Sequence, residues 1–193
     1  MHKIITGLAA AILASSATFA NAGSWVLDGA ASSISFGSIK KAEIGETNSF
    51  SDLSGGVDAD GNVMVSIGLG SVQTNIDIRN ERMIEHVFGG MAAATVSAMV
   101  DMETLEGLAV GDMTSVTVDA TLDLLGVETG FDAPMIAVRL SETRVMLVSD
   151  GMVFLSTYDL GIDAGIDVLQ ELASLPAITR TTPVTVRFVF DME

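Results

Sequence analysis

Cysteine is missing from this chain altogether. No disulfide staples the fold, and both thiolate nucleophiles and thiolate metal sites are excluded. Histidine is almost missing too. Of the two histidines, His2 lies at the extreme N-terminus, so His86 alone serves whatever follows it. A paired-histidine metal site is therefore excluded. A Ser-His-Asp triad would have to use His86, and no nucleophile-elbow sequence accompanies it. Its setting beside Val87 and Phe88 suggests local packing or capping at a helix end. Aromatics make up only 5% of the residues, and basic residues number nine against 25 acidic ones.

What is present begins with an export signal over residues 1–22. His2 and Lys3 give a short positive start, Ile4 to Leu13 is mostly apolar, and Ala20-Asn21-Ala22 is a small-x-small cleavage site. Ser15, Ser16, Thr18 and Asn21 dilute its second half, whereas a spanning helix needs roughly 20 predominantly apolar residues. Cleavage is expected before Gly23, with residues 23–193 forming one domain that reaches the periplasm without stable membrane insertion. That length buries a core without staples. The mature chain keeps 8 basic residues against 25 acidic ones, a formal charge of about −17. Such a charge repels nucleic acid and anionic lipid surfaces.

Acidity and apolarity coexist here, since the mean hydropathy is +0.50. The apolar residues must be segregated from the charged ones, and strand alternation does this efficiently. Val116, Val118, Ala120, Leu122 and Leu124 alternate with Thr117, Asp119, Thr121 and Asp123. Val63, Val65, Ile67 and Leu69 alternate after the Asp60-Gly61-Asn62 turn, and Val184, Val186, Phe188 and Phe190 follow Pro183. Shorter candidates are 34–36, 50–57, 95–102, 133–140, 144–148 and 153–156. About eight or nine strands with polar turns predict a sandwich or barrel. Two segments have helical spacing, Ile76 to Phe88 and the set Ile166, Leu169, Leu172 and Ala173 before Pro176. They are expected as lids over a barrel's ends.

Candidate chemistry is sparse. Glu103 with Glu106 and Asp163 with Asp167 are spacings that chance supplies among 25 carboxylates, and both look like solvated faces. Asp58-Ala59-Asp60-Gly61-Asn62 has the start of a calcium loop but lacks its remaining ligand positions, so a hairpin turn is the better reading. Arg79 stands out as a basic residue between strand and helix in an acidic chain. It either bridges carboxylates or meets an anionic ligand group. Arg82, three residues on, is expected to pair with Glu81 or Glu85 at the surface. The ten methionines after the signal fill either a pliable, ligand-accommodating interior or an ordinary core.

Several segments resemble the YceI-like family of secreted, lipocalin-like barrels. Trp25-Val26-Leu27-Asp28 and Ser32-Ser33-Ile34-Ser35-Phe36 resemble its opening, and Phe50, Leu53, Ser54 and Gly55 its next strand end. Ser71, Thr74 and Arg79 match its central Ser-x-x-Thr strand end and Arg-Asp turn. Leu122 to Val127, Asp159-Leu160-Gly161 and Pro183 to Phe188 resemble later motifs in the same order. Asn80 stands where the family usually has Asp, Leu125 where it often has His, and Leu160 where Phe is common.

The resemblance implies an all-β, antiparallel lipocalin-like barrel of about eight strands with two short helices. It also implies a polyisoprenoid lipid, such as an isoprenoid quinone or prenyl phosphate, held in the interior, and members that commonly dimerise. No enzyme activity, metal or dedicated cofactor is expected. The residues expected to contact lipid are Ile34, Phe36, Phe50, Ile67, Arg79, Val118, Leu122, Val138 and Phe188. A filled barrel acting through protein partners, in structure or stress response, is the alternative. An enzyme on isoprenoid substrates ranks third because of the lone histidine.

Overall fold

Residues 24–193 are described by the structure, a computed structural model, and the export signal read at 1–22 lies outside them. The alternating segments become strands that share one interior. In chain order they are β1 (Trp25–Leu27), β2 (Ser33–Lys40), β3 (Ile44–Phe50), β4 (Leu53–Val57), β5 (Asn62–Gly68) and β6 (Val72–Gln73). There follow β7 (Ala93–Met99), β8 (Met113–Leu124), β9 (Val127–Ser141), β10 (Arg144–Ser149), β11 (Val153–Ser156) and β12 (Thr181–Met192). Three short α-helices interrupt them: α1 (Asp77–Arg82), α2 (Met102–Glu106) and α3 (Asp163–Leu172).

The pairings resolve twelve strands into eight staves of a closed antiparallel barrel. β1 with β2, β3 with β4, β5 with β6, and β10 with β11 are each one stave broken midway, while β7, β8, β9 and β12 are single. Closure is made by β12. Its residues 190–192 pair with β1 and 184–187 with β2 on one side, while the other side takes β10 and β11. A closed ring leaves no bare edge to recruit another chain.

Phase follows the sequence where one face is apolar. On β8, Val116, Val118, Ala120, Leu122 and Leu124 turn inward while Asp119 and Asp123 stay exposed. Burial of such side chains, at about 25 cal/mol per Å² of apolar surface, drives the closure. The stave breaks have local causes. Ser71 Oγ accepts hydrogen bonds from the Ser51 and Asp52 amides at 3.1 and 3.0 Å and donates to the Gly68 carbonyl at 2.7 Å. One hydroxyl thereby fixes two adjacent breaks. Gly55 has φ +140°, and a Cβ there would lie 2.0 Å from the Met64 carbonyl oxygen, so no other residue fits between β4 and β5.

Three expectations need correction. Residues 50–57 are two strands rather than one, because the chain leaves the ladder at Ser51 and Asp52. Met102 opens α2 instead of closing a strand: Asp101 caps that helix, its carboxylate accepting from the Glu103 amide at 3.0 Å and the Thr104 hydroxyl at 2.5 Å. Asp163 and Asp167 are also more than a solvated face, since Arg180 bridges both.

The ends of the barrel differ. α2 closes one of them, where Leu105 packs with Trp25, Val57, Val145, Leu147 and Phe190 and leaves a void of only about 20 Å³. Arg139, 7% exposed, lies there with its guanidinium 5.1 Å from the Trp25 ring centroid. At the opposite end α1 continues into a wide π-type turn over Met83–Val87, and α3 rests on it. Gly165 allows this contact, because a Cβ there would fall 2.4 Å from the His86 carbonyl oxygen.

Candidate ligand cavity

Between these ends the barrel is hollow. A cavity of about 550 Å³ runs from the α2 end to the rim under α1 and α3. Its walls are the inward faces of the staves: Ile34 and Phe36 from β2, Val65 and Ile67 from β5, Val118 and Leu122 from β8, Phe131 and Met135 from β9, and Val186 and Phe188 from β12. Phe36 and Phe50 stack with ring centroids 5.3 Å apart, and Phe88 from the π-type turn approaches Phe50 at 5.9 Å. Ile166 and Leu169 of α3 cover the top. Space of this size with apolar walls suits a small hydrophobic molecule.

The mouth is built differently. Lys40, Lys41, Glu46, Thr74, Arg79 and Arg82 line it, from the β2–β3 hairpin and from α1 with its approach. Lys40 Nζ and Arg79 Nη1 each hold a different oxygen of Glu46 at 2.7 Å, and Arg79 Nη2 donates to the Thr74 carbonyl at 2.6 Å. Burial would raise the Glu46 carboxyl, but the hydrogen bonds from Lys40 and Arg79 outweigh it and hold the group below its ordinary range. Thr74 is itself fixed by Asn80, whose Oδ1 accepts from the Thr74 amide at 2.8 Å and hydroxyl at 2.6 Å. Asn80 thus supplies the acceptor that a carboxylate would supply at that position. Its Nδ2 adds a bond to Gln73 at 3.3 Å, which a carboxylate has no proton to make.

Two polar atoms at this neck have no partner: Asn48 Oδ1 and Arg79 Nε are buried and unbonded. Asn48 is 4% exposed and faces inward opposite Phe36 on β2, where the ion network gives way to the apolar wall. Buried polar groups without partners are uncommon and costly. Two of the three such side-chain atoms among the described residues lie here, where a polar end of a guest would sit; the third, Arg139 Nη1, is at the α2 end.

Eight of the nine residues expected to contact a lipid line the cavity: Ile34, Phe36, Phe50, Ile67, Arg79, Val118, Leu122 and Phe188. Val138 does not. On β9 the inward phase belongs to Phe131, Ala133, Met135 and Ala137, so Val138 faces out with Ile136 and Leu140. Arg82 makes no ion pair with Glu81 or Glu85 among the described residues and lines the mouth instead. The methionines are mostly elsewhere. Met64, Met91, Met99, Met113, Met152 and Met192 are exposed, and only Met83 and Met135 reach the cavity.

Asn48, Lys40 and Lys41 escape a reading of the sequence, because β3 (Ile44–Phe50) carries polar residues on both faces. The signal available was Glu46, Asn48 and Phe50 at two-residue spacing, which leads inward from a charge through an amide to a ring. Among the described residues no group of three or more His, Asp or Glu is arranged to hold a metal ion.

Fold and cavity together define a lipocalin-like barrel with an apolar ligand space. A solved polyisoprenoid-binding domain from Saccharophagus degradans, implicated in plant cell wall breakdown, matches it with a TM-score of 0.85. The two are 39% identical over 88% of this chain and 98% of that one. BcnA of Burkholderia cenocepacia matches with a TM-score of 0.61 at 14% identity, covering 84% of this chain and 98% of its own, a likeness of fold alone. No protein-family model and no curated protein matches the chain. The chain belongs to the YceI-like family.

Proposed function

We propose that this protein is exported to the periplasm and holds one long isoprenoid-type lipid in its barrel, without catalysing a reaction on it. The observation that carries this reading is the hollow interior, apolar along its walls and polar only at its neck. The related domain from Saccharophagus degradans is described as polyisoprenoid-binding, which supports the same ligand class here. The chain of the lipid lies along the staves, where burial supplies affinity less the cost of ordering the guest. Its head group lies at the neck, where Arg79 Nε and the Asn48 amide lack partners. Quinone carbonyls and phosphate oxygens both accept a hydrogen bond from Arg79 Nε, whereas Asn48 Oδ1 is an acceptor and takes a donor such as a head-group hydroxyl. Glu46 is shared between Lys40 and Arg79, so the neck keeps an excess of positive charge that favours an anionic head group while also accepting a neutral polar one.

A hollow barrel does not fit the alternative of a filled scaffold acting through protein partners. Organic extraction and mass spectrometry of protein purified from its native compartment test the proposal, with a stoichiometric long-chain species expected. A clean extract, together with no uptake of added isoprenoid quinone or prenyl phosphate by the delipidated protein, overturns it. Cleavage before Gly23 is checked by N-terminal sequencing of the exported protein, and a homodimer by light scattering.

A further inference from the structure

The open end of the barrel also carries a feature that enclosing a ligand does not need. Ile39 and Ile44 on the β2–β3 hairpin are 43% and 44% exposed, and Ile76 and Ile78 at the start of α1 are 43% and 51% exposed. Singly, such residues need no explanation. Four β-branched apolar side chains on the two elements that flank an apolar opening form a collar. The hairpin is held in place: Lys41 and Ala42 occupy the left-handed region at φ 55° and 61°. The Lys41 amide donates to the Ala177 carbonyl at 3.1 Å, and the Thr179 amide to the Ile39 carbonyl at 3.0 Å. The collar therefore cannot simply fold back over the opening.

Charge indicates what the collar meets. Residues 38–46 and 76–82 hold four basic and four acidic side chains, which is half of the basic residues of the mature chain. These two segments carry no net charge, and the rest of the mature protein carries about −17. A bilayer of zwitterionic phospholipid presents phosphate and ammonium groups in equal number above an apolar layer. Its charge pattern and its depth profile both match the collar.

The geometry points to mouth-first docking of this protein on a zwitterionic phospholipid bilayer. The isoleucines enter the interface, and Lys41 and Arg82, which form no ion pair among the described residues, face the phosphates. This extends the lipid-binding reading: an insoluble guest passes between membrane and cavity without crossing water. The attachment is interfacial and reversible, of the kind made by amphipathic surfaces. The strongly acidic body also predicts the response to salt. On an anionic bilayer it is repelled, and screening relieves this because the Debye length is only about 8 Å at 0.15 M.

Co-flotation of the purified protein with phosphatidylcholine–phosphatidylethanolamine vesicles tests the inference. Wild type is expected to float, with a bound fraction insensitive to salt. On vesicles containing phosphatidylglycerol, binding is expected to be weaker and to rise with salt. The double substitution Ile39→Ser/Ile44→Ser, at two positions outside the cavity lining, should reduce the bound fraction at least fivefold and slow ligand transfer from vesicles. Met99→Ser/Met113→Ser, at sites 68% and 70% exposed on the acidic body, should change neither. Failure of wild type to float, or equal flotation of the collar variant, overturns the inference. So does a dimer that the collar variant dissociates in the absence of flotation, since the collar would then be a self-interface. Uptake of ligand delivered in detergent is measured in parallel. Loss of that uptake in wild type counts against the lipid-binding reading alone.

Discussion

Both ends of this barrel hold an arginine, and their surroundings differ. Arg139 is sealed at the α2 end, where its Nε donates to the Ser141 carbonyl at 2.8 Å, its Nη2 donates to the Glu142 carbonyl, and its plane meets Trp25. No carboxylate pairs with it among the described residues. Arg79 is half-buried at the mouth, split between the Glu46 carboxylate and the Thr74 carbonyl, with one donor unused. A buried cation held by two backbone oxygens and an aromatic face, its Nη1 unpaired and away from the cavity, holds a floor closed. One that shares its carboxylate with Lys40 and keeps a spare donor beside the cavity can answer a guest. The surroundings, not the residue type, separate structure from recognition.

The largest test of this contrast lies between the two ends. Val118→Asp or Leu122→Asp puts a lone carboxylate on the apolar wall, which should cost about 2–4 kcal/mol and reduce lipid retention more than tenfold. Thr121→Asp, on the outer face, should do neither. Denaturant melts and a binding titration on the three variants read the result, and equal effects would mean that β8 is turned the wrong way.

Next in size is the floor. Arg139→Met keeps the length of the side chain but loses two hydrogen bonds and the contact with Trp25. A loss of about 2–3 kcal/mol is expected, with lipid affinity within a factor of about two. A comparable fall in affinity would show that the floor takes part in binding.

At the mouth the balance should reverse. Arg79→Ala leaves Lys40 to balance Glu46, so the loss of stability should stay near 1 kcal/mol for a partly solvated pair. Affinity for a lipid with a polar head should fall about tenfold, and affinity for a headless hydrocarbon of equal length should hardly change. Arg79→Lys keeps the charge but not the fork and should lie between. A large stability loss with binding intact would make Arg79 a second Arg139.

The smallest effect is one of pH. The Glu46 carboxyl is held below its ordinary value, so its contribution is complete above its unfolded pKa, about 4.3. That contribution is lost as the pH falls through the lower folded value. Glu46→Gln should therefore flatten the acid limb of the stability curve by lowering stability at neutral pH, with little change at pH values below the folded pKa.

How much of this was legible depended on the contrast between faces. β5, β8 and β12 have one apolar and one polar face, and their phase follows directly from the residues. β9 from Pro134 to Val138 is apolar on both faces. The larger aliphatics Ile136, Val138 and Leu140 point outward while Met135 and Ala137 point in. The residues alone therefore do not fix the phase there, and Val138 faces out. β3 lacked contrast for the opposite reason, since it lines the polar neck and then a solvated hairpin. α2 is too short to show a helical period, and its cap at Asp101 is its only local sign. The apolar body of the cavity could thus be read in advance. The neck could be read only at Arg79, because the partners of that side chain lie 5 and 33 residues away in sequence.

The closure made by β12 has a consequence for the order of assembly. Trp25 pairs with Met192, so the seam joins the first stave to the last across almost the whole described chain. Loop closure over such a separation costs entropy before any contact rewards it, and folds with high contact order form slowly. The last dozen residues also hold β1, β2, β10 and β11 at once. Until they arrive, there is an apolar sheet but no interior. A chain emerging in sequence thus has no compartment to fill, and loading with lipid can begin only after the final strand is in place.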